Sequence, residues 1–272
     1  MGSYNLKVYE YADSVQLRLY NQSLTYDEKV LAVPLIEPLE PIEKVHTSEL
    51  SEKRKEKSAL SSMSRTVSSI YEISRANTWE YFVTFTFNRN LIDSSNYDLL
   101  AEKVSKWFNN LRSRCASNLK YLIVPELHKD GIHYHFHAVI SNVGNIRFID
   151  SGIKKKGHTI YNIDNWKFGF TTASKVLDSG RVSSYITKYI TKDLCAVSKN
   201  KKRFWCSRNC ERAKVRTYNI SYEKISEFLD ENIELLRHTS SISVDSCGLE
   251  VTYIEMAKGE KNECSEITTI KM

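Results

Sequence analysis

The sequence has little proline and no long apolar run, and both shortages limit what the chain can be. Three of its four prolines fall within 34–50, which predicts a connection without regular structure there. No apolar stretch reaches the roughly 20 residues that a membrane-spanning helix needs, so no membrane partner is expected. The polar segment 1–15 also lacks the apolar core of a secretory signal, and a cytoplasmic location is expected.

Cysteines are also few for a chain of 272 residues, and they are scattered at positions 115, 195, 206, 210, 247 and 264. A framework of disulfide bonds is typical of smaller secreted chains that are richer in cysteine. Cys206 and Cys210 form the only close pair, and they lack the second pair or the nearby histidine that a zinc site needs. We therefore expect reduced thiols.

The periodicity of apolar residues predicts an α+β fold. Helical spacing predicts helices over 51–76 and 97–115, and alternation or short apolar runs predict strands within 4–22, 81–88, 120–141, 159–163 and 168–172. These elements interleave without the regular rhythm of a parallel sheet, which favours a central, mainly antiparallel sheet with flanking helices.

This order of elements divides the chain into four predicted parts. They are N-terminal strands with an irregular linker (1–50), a helix leading into the core (51–76), a central domain (77–220), and a C-terminal helix with an acidic tail (221–272).

A hairpin that is rich in histidine is predicted within 120–141. Asp130–Gly131 is a preferred pair for a two-residue turn, because both central residues of that turn need positive φ. This turn places Glu126 opposite His135, and side chains two residues apart share a face. One wall of the hairpin then carries Glu126, His128, His133, His135 and His137.

Such a wall indicates a metal site. Four histidines and a carboxylate are hard to explain by core packing, because buried imidazoles need polar partners. Imidazole and carboxylate suit Mn²⁺, Zn²⁺ or Fe²⁺, and Mg²⁺ can bind through carboxylate and phosphate oxygens. Two histidines and a glutamate fill only part of an octahedral shell, which leaves positions open for a substrate.

The tetrapeptide YITK occurs twice in direct succession, over 185–192. On a helix, residues three and four apart share a face, so both tyrosines and both lysines would form one polar stripe. Taken alone, this pattern is typical of an amphipathic surface helix. It also offers two phenols beside two ammonium groups, from Tyr185, Lys188, Tyr189 and Lys192.

A basic segment, "KNKKRFWCSRNCERAKVR" at 199–216, follows the repeat. Its lysines and arginines, interleaved with aromatic residues, suit a phosphate backbone and stacked bases, although such runs are often only solvated surface. The predicted DNA contacts are Lys201, Lys202, Arg203, Trp205 and Arg208.

These three features match the requirements of phosphodiester transfer. A metal ion with free coordination positions can polarise a scissile phosphate while a tyrosine attacks it in line. A free phenol has a pKa near 10, and the positive charge of Lys188 and Lys192 would favour phenolate or stabilise the developing charge.

Three motifs resemble those of the HUH endonucleases. "YHFHAVI" resembles their histidine motif, the YITK repeat resembles the tyrosine motif of two-tyrosine rolling-circle replication initiators of small phages and plasmids, and "FVTFTFN" is similar to the apolar strand before the histidines. The motifs occur in the same order and cover about 80–210. The resemblance implies a central antiparallel sheet with the metal on its face.

By the same resemblance, Glu126, His135 and His137 would bind Mg²⁺ or Mn²⁺, and Tyr185 and Tyr189 would be the nucleophiles beside Lys188 and Lys192. The extra histidine at 133 departs from the pattern and allows a rival His133–His135 pair. We prefer His135 and His137 because Glu126 lies opposite His135; His128 and His133 would then lie around the ligands.

The resemblance implies nicking of single-stranded or hairpin origin DNA in a bacterial host cell, with the 5′ end held on tyrosine and strands rejoined at termination. No GxxxxGK[ST] phosphate loop occurs, so a host helicase and polymerase would be needed. A transposase or mobilisation relaxase would use the same chemistry. A metal-dependent oxygenase would leave the tyrosines without a role, and a non-catalytic repressor would leave the histidine hairpin unexplained.

Overall fold

The computed structural model describes residues 2–26, 47–198, 200–244 and 248–258. Its elements fall into two compact units, one made of 1–43 and 213–272 and the other of 44–212. No helix within the described residues is long and apolar enough to cross a membrane.

The helices are α1 (Thr47–Arg75), α2 (Tyr97–Arg114), α3 (Ser179–Thr187), α4 (Lys192–Val197) and α5 (Tyr222–Glu231), with a short 3-10 turn at Ile233–Leu235. The strands are β1 (Gly2–Glu10), β2 (Ser14–Tyr26), β3 (Tyr81–Phe87), β4 (Lys120–Leu127), β5 (Tyr134–Ser141), β6 (Phe148–Lys155), β7 (His158–Ile163), β8 (Gly169–Lys175), β9 (Trp205–Cys206), β10 (Lys214–Tyr218), β11 (Leu236–Val244) and β12 (Leu249–Ala257).

The central unit is built on a seven-stranded sheet in the order β6-β7-β8-β3-β5-β4-β9, and neighbouring strands in it are antiparallel. The predicted α+β class with a mainly antiparallel sheet is therefore confirmed. The strands of the centre are rich in aromatic and β-branched residues, which favour a pleated surface.

Alternate residues of each strand supply the two faces of this sheet. On β3 and β5, Phe85 and Phe136 point to the face that α2 covers, and Phe85 meets Trp107 and Phe108 edge-on at 5.2 and 5.7 Å between ring centroids. Both phenylalanines are fully buried. The neighbouring residues, Thr84 and His137, point to the opposite face, where α3 packs against β5 and α4 against β4.

The terminal unit is a five-stranded sheet in the order β10-β1-β2-β12-β11. Helix α5 packs Ile225, Phe228 and Leu229 against an apolar cluster that includes Leu17 of β2 and Ile254 of β12. The predicted strand pair within 4–22 is present as β1 and β2. The prediction of a C-terminal helix corresponds to α5, whereas the acidic tail falls largely outside the described residues.

The two units differ from the four parts expected from the sequence. Segments at the two ends of the chain share one sheet because β2 lies between β1 and β12, and β10 adds to β1 rather than to the central sheet. Helix α1 belongs to the same unit as the central sheet. Local patterns predict each strand but carry no information on pairing across more than 200 residues.

The histidine hairpin has the predicted register, with Glu126 opposite His135. Its turn is wider than predicted: the His128 N–H donates to His133 O at 2.8 Å, and four residues lie between them. Only Gly131 of the predicted Asp130–Gly131 pair has positive φ, at 71°. Asp130 instead accepts hydrogen bonds from later N–H groups in the loop, which stabilises a wider turn.

Pro125 interrupts β4 in sequence and, by its missing N–H, predicts a bulge or a frayed end. Neither occurs, and Pro125 pairs with Phe136 in continuous register. The His128 bond shows that even-numbered residues of β4 turn their N–H groups toward β5, so the N–H that Pro125 lacks would point away from it. The neighbouring β9 pairs with β4 only at Leu122 and Ile123.

Candidate active site

The candidate site lies on the face of the central sheet that carries His137. This imidazole is 4% exposed. Its Nε2 lies 2.7 Å from Glu126 Oε2, and its Nδ1 lies 3.1 Å from Thr84 Oγ1 on the adjacent strand β3. A neutral ring satisfies both contacts when Nε2–H donates to the carboxylate and Nδ1 accepts from the threonine hydroxyl. Strand pairing therefore fixes the plane of the ring.

Burial and the hydrogen bond between His137 and Glu126 shift the pKa values of both groups. Burial lowers the pKa of His137, while the hydrogen bond and charge of Glu126 act in the opposite direction. The hydrogen bond from His137 in turn lowers the pKa of Glu126. A neutral imidazole and an ionised carboxylate are the protonation states that metal ligands need.

His135 lies on the same wall, directly opposite Glu126. Its ring is half-buried, and burial lowers its pKa. The ring of His128 lies 5.2 Å from it, centroid to centroid. His133 is turned toward the loop, with Nδ1 2.8 Å from Asp130 Oδ2. The structure thus ties His133 to Asp130, and it brings His137 rather than His133 to Glu126.

The carboxylate of Glu126 and the imidazole of His137 are chemically suited to bind a divalent ion. Adjacent ligands of an octahedral ion with bonds of about 2.1 Å lie about 3 Å apart, close to the 2.7 Å between Glu126 Oε2 and His137 Nε2. Within the part of the chain that the structure describes, however, no group of three or more His, Cys, Asp or Glu side chains is arranged to hold a metal. The Glu126–His137 pair is therefore the part of the predicted ligand set that converges here.

The two tyrosines of the repeat lie on the same side of the sheet as this pair, Tyr185 on α3 and Tyr189 in the turn after it. Asp178 caps α3 by accepting the N–H of Arg181, and the fully buried Ile186 anchors the helix. The ring of Tyr189 stacks on His137 with centroids 3.6 Å apart and planes 11° apart. Tyr185 meets Tyr189 edge-on at 5.6 Å and is 46% exposed.

The repeat is not one continuous helix, which corrects the prediction of a single polar stripe. Helix α3 ends at Thr187, and α4 begins at Lys192 after Thr191 caps it. The isoleucines of the repeat pack in the core, since Ile186 and Ile190 are both buried. Both tyrosines still face one site because the turn carries Tyr189 back over the sheet.

The lysines of the repeat are placed differently. Lys188 is exposed, and its Nζ lies 5.4 Å from the centre of the Tyr185 ring. The side chain of Lys192 lies outside the described part of the structure. Burial raises the pKa of Tyr189, and the hydrogen bond to Tyr185 and the charge of Glu126 raise it further. Tyr185, beside Lys188 and open to solvent, is the more accessible phenol.

Sequence reasoning missed two neighbours of the site, Phe82 and Thr84. Phe82 contacts the rings of His137, Tyr185 and Tyr189 at 5.7, 5.3 and 6.3 Å. Both residues lie in "FVTFTFN", whose alternation places them on one face of β3. That alternation was a usable signal, but the pairing of β3 with β5 was needed to bring them to His137.

The predicted DNA-contacting residues divide into two groups. Lys201, Lys202 and Arg208 are exposed, although Lys201 also pairs with Asp98 at 2.7 Å. Arg203 instead donates to Ser198 Oγ, Ser62 Oγ and Cys195 O within 3.0 Å, which joins α1 to the end of α4. Trp205 pairs with Ile123 at the sheet edge and packs on the ring of Phe136 at 5.8 Å. Arg203 and Trp205 therefore contribute to the fold.

Residues 80–194 match the family model described as Replication-associated protein ORF2/G2P. The matched segment is less than half of the chain, and it contains Glu126, both predicted histidine ligands and the whole YITK repeat, but not the basic residues after 200. No curated protein and no solved structure matches the chain.

The ORF2/G2P match confirms the resemblance to replication initiators that the motifs indicate, and it supports a role in starting DNA replication. Such a role has DNA as its substrate.

Proposed function

We propose that this protein is a replication initiator that nicks single-stranded or hairpin origin DNA by tyrosine attack and later rejoins the strands. One observation carries the proposal: on one face of the sheet, Tyr189 stacks on His137 of the Glu–His pair with ring centroids 3.6 Å apart, and Tyr185 meets Tyr189 edge-on at 5.6 Å. The match to a replication-associated family favours this role over a transposase, a relaxase or an oxygenase.

Each side chain has a task in the proposed cleavage. Tyr185 Oη attacks the scissile phosphorus and loses its proton, while the bond from phosphorus to the 3′ oxygen breaks and that oxygen takes up a proton. The 5′ phosphate stays on the tyrosine, and a free 3′ hydroxyl is released for a polymerase. Lys188, beside the Tyr185 ring, stabilises the negative charge that develops.

The ligands proposed for a divalent ion are Glu126, His135 and His137. Mg²⁺ or Mn²⁺ bound there would polarise the scissile phosphate. When His137 Nε2 is a ligand, the ring proton lies on Nδ1 and donates to Thr84, so the threonine orients the imidazole in either state. His128 and His133, held around the loop by Asp130, keep the wall of the hairpin in place.

Tyr189 is proposed as the second nucleophile. After the first cut, Tyr185 is occupied, and a second tyrosine allows another strand to be cut and joined. The released 3′ hydroxyl attacks the phosphotyrosine, restores the phosphodiester and frees the phenol. Lys201, Lys202 and Arg208, exposed after α4, would contact the backbone phosphates of the bound strand.

The test incubates the full chain with Mn²⁺ or Mg²⁺ and single-stranded DNA from its own replicon, then separates protein–DNA adducts on denaturing gels. A covalent adduct that needs the metal and disappears in the Tyr185→Phe/Tyr189→Phe variant is expected. A folded, metal-loaded protein that forms no adduct with any strand of that replicon would refute the nuclease proposal.

A further inference from the structure

A basic β-hairpin extends from the far edge of the central sheet. It is formed by β6 and β7 and is called the arm here (residues 148–163). At its end, Lys155 pairs with His158 across a two-residue turn in which Lys156 and Gly157 both have positive φ, 50° and 80°. Two positive φ values are the geometry of a tight hairpin turn, so the arm has a defined tip.

Side chains hold both the base and the middle of the arm. At its base, Phe148 stacks on Tyr81 of β3 with centroids 4.1 Å apart, and Tyr161 meets both rings edge-on. In its middle, β6 has extra residues after Asp150, where Asp150 accepts the Gly152 N–H and Ser151 donates to Ile160 O. The arm is thus a fixed projection with an ordered bulge.

The end of the arm is strongly basic, and no acidic side chain of the described residues pairs with it. Lys154, Lys155 and Lys156 are all exposed, and no acidic residue occurs in 151–163. Within the described residues, none of the three ammonium groups has a carboxylate within 4.0 Å. Three lysines at one tip repel one another, and a bound polyanion would neutralise that repulsion.

The chemistry of the tip favours duplex DNA over a single strand. Single-strand binding uses aromatic rings on which bases stack, but the segment 149–160 has no Phe, Tyr or Trp, and its one ring is the imidazole of His158. The larger aromatic residues of the arm, Phe148 and Tyr161, are engaged with Tyr81 at its base. A two-stranded ribbon fits the major groove of B-DNA, where lysines can reach phosphates on both sides.

The arm belongs to the same sheet as the candidate site. Strand pairing extends across the sheet from His137 through Thr84 to the base of the arm. In that register, Thr84 and His137 are in line with the pair Ile149–Asn162. The base of the arm also reaches β3, the strand that carries Thr84, because Phe148 stacks on Tyr81 with ring centroids 4.1 Å apart.

We infer that the arm binds double-stranded DNA next to the site of cleavage, with Lys154, Lys155 and Lys156 on its phosphates. This inference rests on the proposed function in taking DNA as the substrate. It adds a separate contact for the paired region beside the strand that is cut, such as the stem of a hairpin.

The test measures binding rather than cleavage, so it does not depend on the tyrosine chemistry. The full chain carrying Tyr185→Phe and Tyr189→Phe is titrated, over a range of KCl concentrations, into a fluorescent 20-base-pair duplex and into one of its strands. The arm variant adds Lys154→Gln, Lys155→Gln and Lys156→Gln. The matched control removes three exposed charges elsewhere, with Lys106→Gln, Arg114→Gln and Lys224→Gln.

Three lost phosphate contacts should reduce the slope of log affinity against log salt by about 2.7 for the duplex. At 0.1 M salt, this corresponds to a loss of between about ten-fold and 500-fold in duplex affinity, with less than about three-fold on the single strand. A variant with all three lysines changed to arginine should bind the duplex like the parent.

Two results would overturn the inference: an arm variant that binds the duplex as tightly as the control, or one that loses equal affinity for duplex and single strand. If the wild-type chain forms no tyrosine adduct but the arm variant still loses duplex binding selectively, the proposed nuclease fails and the arm stands.

Discussion

The two copies of YITK have the same sequence but different structures. In the first copy, Tyr185 to Thr187 form the last turn of α3, and Tyr185 is 46% exposed. In the second, Tyr189 lies in a turn with its ring stacked on His137, and Thr191 begins α4 as its cap. The repeat therefore supplies two phenols in two environments, one open to solvent and one against the Glu126–His137 pair.

This difference comes from the surroundings rather than from the tetrapeptide. Both isoleucines are buried, so each copy is fixed to the core at the same position. What separates them is the break after Thr187, which turns the second tyrosine over the sheet. A repeat of four residues on an unbroken helix would have left both tyrosines on one stripe with similar exposure.

The largest expected effect separates the roles of the tyrosines. Changing both to phenylalanine should abolish the covalent adduct, a loss of at least about a thousand-fold, because no nucleophile remains. Tyr185→Phe alone should prevent the first nick, and Tyr189→Phe alone should allow it but block strand closure. Gel assays of adduct, nicked product and closed circle measure these steps. Two single variants with full nicking and closure would contradict distinct roles for the two copies.

The isoleucines test what the copies share. Ile186→Ala should lower the free energy of unfolding by about 2–5 kcal/mol, because it removes a fully buried side chain and leaves a cavity. Ile190→Ala should cost an amount in the same range, since Ile190 is 5% exposed. Urea unfolding followed by circular dichroism measures both. An unfolding free energy unchanged by Ile190→Ala would show that the second copy is not fixed to the core.

Thr84 tests the surroundings of the second copy. Thr84→Val keeps the shape of the side chain but removes the hydroxyl that contacts His137 Nδ1 at 3.1 Å. Nicking should fall by about 10- to 100-fold, as expected when a metal ligand loses its orienting partner. The metal concentration needed for half-maximal nicking should rise as well, and Thr84→Ser should restore both. A normal metal requirement in Thr84→Val would argue that the hydroxyl only fills space.

The smallest expected effect distinguishes the two threonines. Thr191→Ala removes the side chain that caps α4 by accepting the Leu194 N–H, and should cost about 1 kcal/mol of unfolding free energy. Thr187→Ala removes only a bond to Ser184 O within α3 and serves as the matched control, with a change below about 0.5 kcal/mol. Equal losses in thermal or urea unfolding would contradict the helix break between the copies.

The sequence by itself determined most of the local structure and the chemistry on the wall of the hairpin. A short run of aromatic and β-branched residues predicted β3, and a turn near Gly131 predicted the hairpin of β4 and β5 with Glu126 opposite His135. The resemblance to replication initiators named the histidines and tyrosines that the family match covers. These inferences succeeded because they depend on periods of two or four residues and on a single short hairpin.

Tertiary structure decided which of these residues meet. The stacking of Tyr189 on His137, the contact of Thr84 with the same ring and the use of Arg203 to join α1 to α4 all connect residues more than 50 positions apart or across a helix break. The union of the chain ends in one sheet is of the same kind. No local pattern encodes such pairings, because they arise from burial and strand order, which are properties of the whole chain.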